Sequence, residues 1–145
     1  MKVEFHSGVA DKLVLACRFL RNAQNAGASV VVCADGSTLD QLDVALWSFD
    51  PLSFVVHGRL EPGATPSPAL ARTTVWLVDD AAFAPTHDVL VNLGPAMVEG
   101  WEQFTRVVEI VSAQPEDAQA GRDRWRRYGD APGVERVHHS RRATP

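Results

Sequence analysis

The sequence predicts an α/β fold, a single domain built on a mostly parallel sheet with helices on both faces. Three observations predict it. Short continuous apolar runs such as "SVVVCA" and "TTVWLVDD" are what strands covered on both faces look like. Between them stand stretches whose apolar residues recur at helical spacing. The two kinds of segment alternate along the chain, which argues for strand–helix–strand units and parallel pairing.

Taken in order, "VEFHS" at 3–7 is a short strand. In "ADKLVLACRFLRNAQNAG" the residues Leu13, Ala16, Cys17 and Leu20 fall on one helical stripe, and Gly27 is a C-terminal stop. Residues 29–34 form the next strand. "STLDQLDVALWSFD" follows as a helix, capped by Ser37 or Thr38, with Leu39, Leu42, Ala45 and Leu46 facing inward. "SFVVHG" at 53–58 is a strand, and the Gly-, Pro- and Ser-rich residues 60–71 are a loop, too short to separate one domain from another. "TTVWLVDD" and "DVLVNLG" are two more strands, "AMVEGWEQFT" a helix, and "VVEIVS" at 107–112 a last strand. Pro115 opens a C-terminal helix at a position where its missing N–H costs nothing, and Gly129 or Gly133 ends it. The polar residues 133–145 are expected to be a frayed tail. One domain spanning 1–145 is therefore expected, and a chain of 145 residues hides enough surface to need no staples.

Composition narrows the function classes. The two cysteines, Cys17 and Cys33, lie in apolar runs and read as buried packing in a reducing compartment. No apolar run approaches the roughly 20 residues that span a bilayer, and no secretory leader pattern is present. A cytoplasmic protein with no membrane association is expected. Charge is uneven: residues 1–120 carry −8 and residues 121–145 carry +4. A cationic end on an anionic body points to an anionic partner met at one place.

No catalytic residue, metal site or cofactor is expected. "VWLVDD" has the acidic ending of a magnesium-holding strand, but no glycine-rich turn leads to a Lys and a Ser or Thr that grip phosphates. Asp79 and Asp80 read as strand-end or helix-capping carboxylates. His6, His57 and His87 are scattered, and the pair His138 and His139 stands in the polar tail, so no zinc spacing exists. No G-x-S-x-G elbow nominates a nucleophile.

"LDVALWSFDPLSFVVHG" at 42–58 resembles the chi subunit family of the bacterial DNA polymerase III holoenzyme. The resemblance rests on Asp43, Leu46 and Trp47 on a helix, then Ser53, Phe54 and His57 on the strand after it. It continues through "DVLVNLG", a helix with Phe, "VVEIV", and the terminal "RDRWRRY", covering nearly the whole chain. Two departures stand out: Val56 where the family usually has Pro, and Ala118 where some members have Lys. The resemblance implies a Rossmann-like fold without nucleotide hydrolysis, in a non-catalytic subunit of a DNA-directed DNA polymerase complex. It implies binding to the acidic C-terminal tail of single-stranded DNA-binding protein. It also implies the psi subunit, where present, as a partner, and through it the clamp loader.

On a helix Arg122, Trp125 and Arg126 share one face, and Arg124 and Tyr128 share a neighbouring one. That suits the tail the resemblance implies, a peptide with acidic residues ending in Phe and a free carboxylate. An Arg can hold the carboxylate with two N–H bonds, and the aromatics with Val111 can hold the ring. Two other readings compete. One is a solvated basic helix with Trp125 and Tyr128 packed on the core. The other is a module that binds single-stranded nucleic acid directly through phosphate contacts and stacking. Trp47 and Phe54 are either plain core or an interface anchor for a partner subunit. The expected outcome of an ATPase assay on the purified protein is background turnover; a rate above it that disappears in Asp79→Ala would overturn this reading.

Overall fold

The computed structural model describes residues 1–49, 54–60 and 73–141. In chain order these form β1 (Lys2–Val9), α1 (Lys12–Asn25), β2 (Val30–Cys33), α2 (Gly36–Ser48), β3 (His57–Leu60), β4 (Val75–Val78), β5 (Val89–Asn92), β6 (Arg106–Ser112), α3 (Pro115–Asp130) and β7 (Glu135–Ser140). Short 3-10 turns sit at Ala81–Phe83 and Trp101–Gln103. The seven strands make one sheet in the order β3-β4-β2-β5-β6-β1-β7, and each neighbouring pair is parallel. This is the expected α/β architecture, with the C-terminal helix in place.

Alternation along each strand builds two cores. Val30, Val32, Val75, Leu77, Val108 and Ile110 face α1 and α2, where they meet Leu20, Leu39, Leu42 and Leu46. Their neighbours Val31, Trp76, Val78, Leu90, Val107 and Val111 face the other way, toward Tyr128 of α3 and the loop residues Trp101 and Phe104. Successive strand side chains point to opposite faces, so a continuous apolar run must be covered on both. Asp11 caps α1 by accepting from the Leu13 and Val14 N–H groups. No helix among the described residues is long and apolar enough to cross a membrane.

Several local expectations are corrected. Asp35, and neither Ser37 nor Thr38, is the cap of α2: its carboxylate accepts from the Thr38 N–H and hydroxyl. The strand expected at 53–58 begins only at His57 and runs to Leu60, which the loop was expected to include. Ahead of it the Gln24 side chain replaces a strand neighbour, donating to the Phe54 carbonyl and accepting from the Val56 N–H. Ser53 and residues 61–71 lie outside the described residues. The helix expected over "AMVEGWEQFT" is a loop with one 3-10 turn. Gly100, at φ +86, breaks helical geometry in its middle, and Asn92 Nδ2 and Arg124 Nη1 hold the Ala96 and Pro95 carbonyls to the core. Gly129 lies inside α3, and Gly133, at φ +73, turns the chain after it.

The largest correction concerns the tail. Residues 135–140 were expected to fray, yet they form β7, paired in register with β1 from Lys2↔Glu135 to Ser7↔Ser140. Both ends are tied: the Glu135 N–H donates to the Met1 carbonyl and the Arg141 N–H to the Ser7 carbonyl. An edge strand with mostly exposed side chains carries no apolar signature, because main-chain bonds hold it. Trp76, mid-strand in β4 and 4% exposed, tests this placement. Trp76→Ala should cost about 3–5 kcal/mol in a urea melt; a variant as stable as the parent would contradict it.

Candidate functional site

The inward face of α3 is set by Gly121, Arg124 and Tyr128, all buried and spaced at three and four residues. Gly121 is a close approach: a Cβ there would stand 2.8 Å from a Val111 methyl, so the helix can lie against β6 only with glycine. Arg124 is 2% exposed and Tyr128 fully buried. Both turn to Glu109, in the middle of β6 and itself fully buried. Arg124 Nε donates to Glu109 Oε1 at 3.0 Å, the Tyr128 hydroxyl to Oε2 at 2.6 Å, and Asn92 Nδ2 to Oε1 at 3.0 Å. Burial pushes the Glu109 carboxyl upward from its ordinary range, and the Arg124 charge and the Tyr128 and Asn92 donors oppose that rise. Burial, and then the Glu109 charge, push the Tyr128 hydroxyl upward.

Beside this network a cavity of about 410 Å³ opens between α3 and the strands β1, β6 and β7. Val111, Gly121 and Phe5 line its apolar part, and Trp125, Arg122, Ala118, Ser7, Gly8 and His138 line the rest. Trp125 is fixed from three sides. Its ring meets Phe5 edge-on at 5.3 Å, lies 5.9 Å from the His138 ring, and carries the Arg136 guanidinium 4.5 Å above its centre. Arg136 also donates to the Trp125 carbonyl. A register irregularity in β1 between His6 and Val9, with Gly8 at φ +68, stands where Ser7 and Gly8 line the cavity. Arg122 is exposed and donates to Gln119 Oε1 within its own helix, a partner that an incoming anion can replace.

Of the expected contact residues, Val111, Arg122 and Trp125 come together in this cavity. Arg126 does not line it; it is exposed, with Nη1 3.4 Å from Asp123. Arg124 and Tyr128 are core residues that hold the helix, and as buried partners of Glu109 they leave the set of direct contacts. Phe5, Ser7 and His138 were missed. They stand more than 100 positions from α3 or in the supposed tail, and only the sheet order joins them. Glu109 was the readable clue to the buried arginine: a carboxylate inside "VVEIV" needs a buried donor.

Trp47 and Phe54 are not plain core. Trp47 is 65% exposed, and its ring packs against Phe54 in a tilted pair with centroids 4.6 Å apart, with Val44 and Val56 also exposed. His57 fixes the patch from behind, its Nε2 2.6 Å from Asp43 Oδ1 and its ring edge-on to Trp47.

Other polar groups serve the fold. The Asp80 side chain accepts from the Ala82 N–H and caps a 3-10 turn, as expected for a capping carboxylate. Cys17 and Cys33 are buried and free, and burial pushes both thiols up to about 11. Glu4, His6 and His139 bring donor atoms within 4.8 Å, but cations already hold Glu4 and His6. Arg106 and Lys2 donate to Glu4, and Arg141 Nε donates to His6 Nδ1. Burial, then the Arg141 charge, hold His6 down at about 4, so it is neutral. That surrounding positive charge repels a divalent cation.

A family model described as DNA polymerase III chi subunit, HolC, matches residues 1–134. The DNA polymerase III subunit chi of Pseudomonas aeruginosa is 33% identical over 121 residues, which cover 81% of this chain and 78% of that protein. The chain belongs to the DNA polymerase III chi subunit family. Its setting is DNA replication, as a subunit of the DNA polymerase III assembly.

Removing Glu109 should be costly because it strands the Arg124 charge. Glu109→Ala should lose about 3–5 kcal/mol in a urea melt, and Arg124→Ala a comparable amount. A loss under about 1 kcal/mol for either would mean that the network does not hold α3.

Proposed function

We propose that the cavity beside α3 captures the acidic C-terminal tail of single-stranded DNA-binding protein, and that the chain links that protein to the clamp-loader assembly. The observation that carries this reading is one guanidinium, Arg122, at the mouth of a pocket with an aromatic and aliphatic lining of Phe5, Val111 and Trp125. A peptide ending in Phe has the matching chemistry. Its ring enters the apolar region, and its free carboxylate meets the guanidinium through two parallel N–H bonds. Arg126 attracts the acidic residues that precede the ring more loosely, since exposed pairs contribute little. Ala118 lines the same cavity, so the absent lysine removes a cation from the site itself.

The Trp47–Phe54 patch is the proposed docking surface for the psi subunit, or for another member of the assembly where psi is absent. An exposed, mutually packed aromatic pair with apolar neighbours is the kind of anchor on which interfaces turn. No catalytic role is assigned to either surface, and the working compartment is the cytoplasm.

Calorimetry with a synthetic acidic peptide ending in Phe tests the proposal. Micromolar binding is expected, weakened strongly when the terminal carboxylate is amidated. Arg122→Ala should cost roughly 2–3 kcal/mol, or about 30-fold or more, and Arg122→Lys should restore only a fraction of that. Arg141→Ala, whose side chain lies on the other face against His6, should change binding by under about 0.5 kcal/mol. Trp47→Ala should leave peptide binding intact and reduce capture of the partner subunit. Tighter binding of single-stranded DNA than of the peptide at physiological salt would favour the nucleic-acid module instead.

A further inference from the structure

We propose that His138, together with Ser7, is a second recognition element of this cavity, meeting the peptide's carboxylates as an imidazolium, so that peptide binding takes up a proton. The inference rests on the cavity being the acidic-peptide site, and it adds a wall to that site. The matched family region ends at residue 134, so β7, which carries His138, stands outside it.

Geometry brings the wall into being. β7 runs beside β1 with His138 opposite Phe5. Alternation then sends His138 to the α3 face and its neighbour His139 to the other, where it stacks on His6. His138 lines the cavity and is exposed. Its Nε2 stands 2.5 Å from Ser7 Oγ.

A hydroxyl–imidazole hydrogen bond has two polarities. With the neutral ring in its Nδ1–H tautomer the Ser7 O–H donates to Nε2, and the hydroxyl shows only lone pairs to the cavity, which a carboxylate avoids. With the ring protonated, Nε2–H donates to Ser7 Oγ. The Ser7 O–H is then free to turn into the cavity and donate to a carboxylate. Protonation of that tautomer adds a positive charge and reverses the hydrogen-bonding sense of the wall; protonation of the Nε2–H tautomer adds the charge alone. An anion entering beside the ring favours the charged form, and by linkage the charged form favours the anion.

The charged neighbours are few. α3 presents Arg122, and β7 itself presents Arg136 over the Trp125 ring. At the β6 end Asp117 is already engaged by the Ser112 N–H and by Lys12. β1 and β6 offer the cavity only uncharged groups, Phe5, Ser7, Gly8, Val111 and Ser112. An anion is thus the natural counterweight to the two arginines and the imidazolium. His6 remains neutral through the assay range and faces away, so it does not contribute.

The test is calorimetry with the Phe-ending acidic peptide at about pH 5.5, 6.5 and 8, spanning ordinary histidine titration, at constant ionic strength and in two buffers of different ionisation heat. The peptide's own carboxylates stay ionised over that range. The parent should bind about threefold to fivefold tighter at the acid end, with net proton uptake on binding. His138→Gln can still hydrogen-bond to Ser7; it should bind the peptide more weakly than the parent at the acid end and show neither the pH slope nor the uptake. Proton uptake by the parent is a readout that needs no variant. A flat parent profile without uptake, with Arg122→Ala still weakening binding strongly, overturns the role of His138 and leaves the tail site standing. A slope that persists in His138→Gln overturns it too. Absence of peptide binding by the parent at every pH overturns the tail site and this inference together.

Discussion

A carboxylate at the centre of a sheet, away from water, has to be met by donors, and Glu109 is met by three. Two of them, Arg124 and Tyr128, belong to α3, and the third, Asn92, belongs to the neighbouring strand. The helix is therefore attached to the sheet by a charged, directional contact as well as by apolar packing. Apolar packing alone tolerates small rotations; an arginine shared between Glu109 and the Pro95 carbonyl does not. Rotation about the helix axis decides which residues face the cavity, so the placement of Arg122 and Trp125 follows from the buried contacts of Arg124 and Tyr128 on the same helix.

The cavity also depends on what α3 lacks. Gly121 lets the helix settle onto Val111, and Gly129 leaves room for Arg136, whose guanidinium would meet a Cβ there at 2.6 Å. Arg136 can then lie across the helix to the Trp125 ring and carbonyl. A small residue at each end brings one strand close from below and another from the side, and the aromatic ring between them is held by both.

Most of the architecture was legible because it rests on periodicity. Continuous runs such as Val30–Cys33 and Val75–Val78 marked the central strands, and the stripe of Leu39, Leu42 and Leu46 marked α2. What escaped reading is held by other forces. β7 is held by main-chain bonds and exposes its side chains, so its composition resembles a tail. The segment around Gly100 has helical composition but a left-handed residue in its middle. In the site, Arg122 and Trp125 were readable from helical spacing. The same spacing grouped Arg124 and Tyr128 correctly, yet did not tell that their face points inward; that depends on Glu109, which lies on β6, outside the helix. Ser7 and His138 are joined only by sheet order, which no local pattern encodes.

Sheet order has a spatial consequence. The Trp47–Phe54 patch packs on His57, at the start of one end strand, while the wall carrying His138 belongs to the other end strand. Six strand spacings separate β3 from β7, roughly 29 Å at about 4.8 Å each. Two macromolecules seated at these borders would rest on opposite edges of the sheet. A load applied between them would run across the strands, through every ladder of the sheet in series. The weakest link in that series, a ladder or one of the two interfaces, would then set the force at which the two occupants separate.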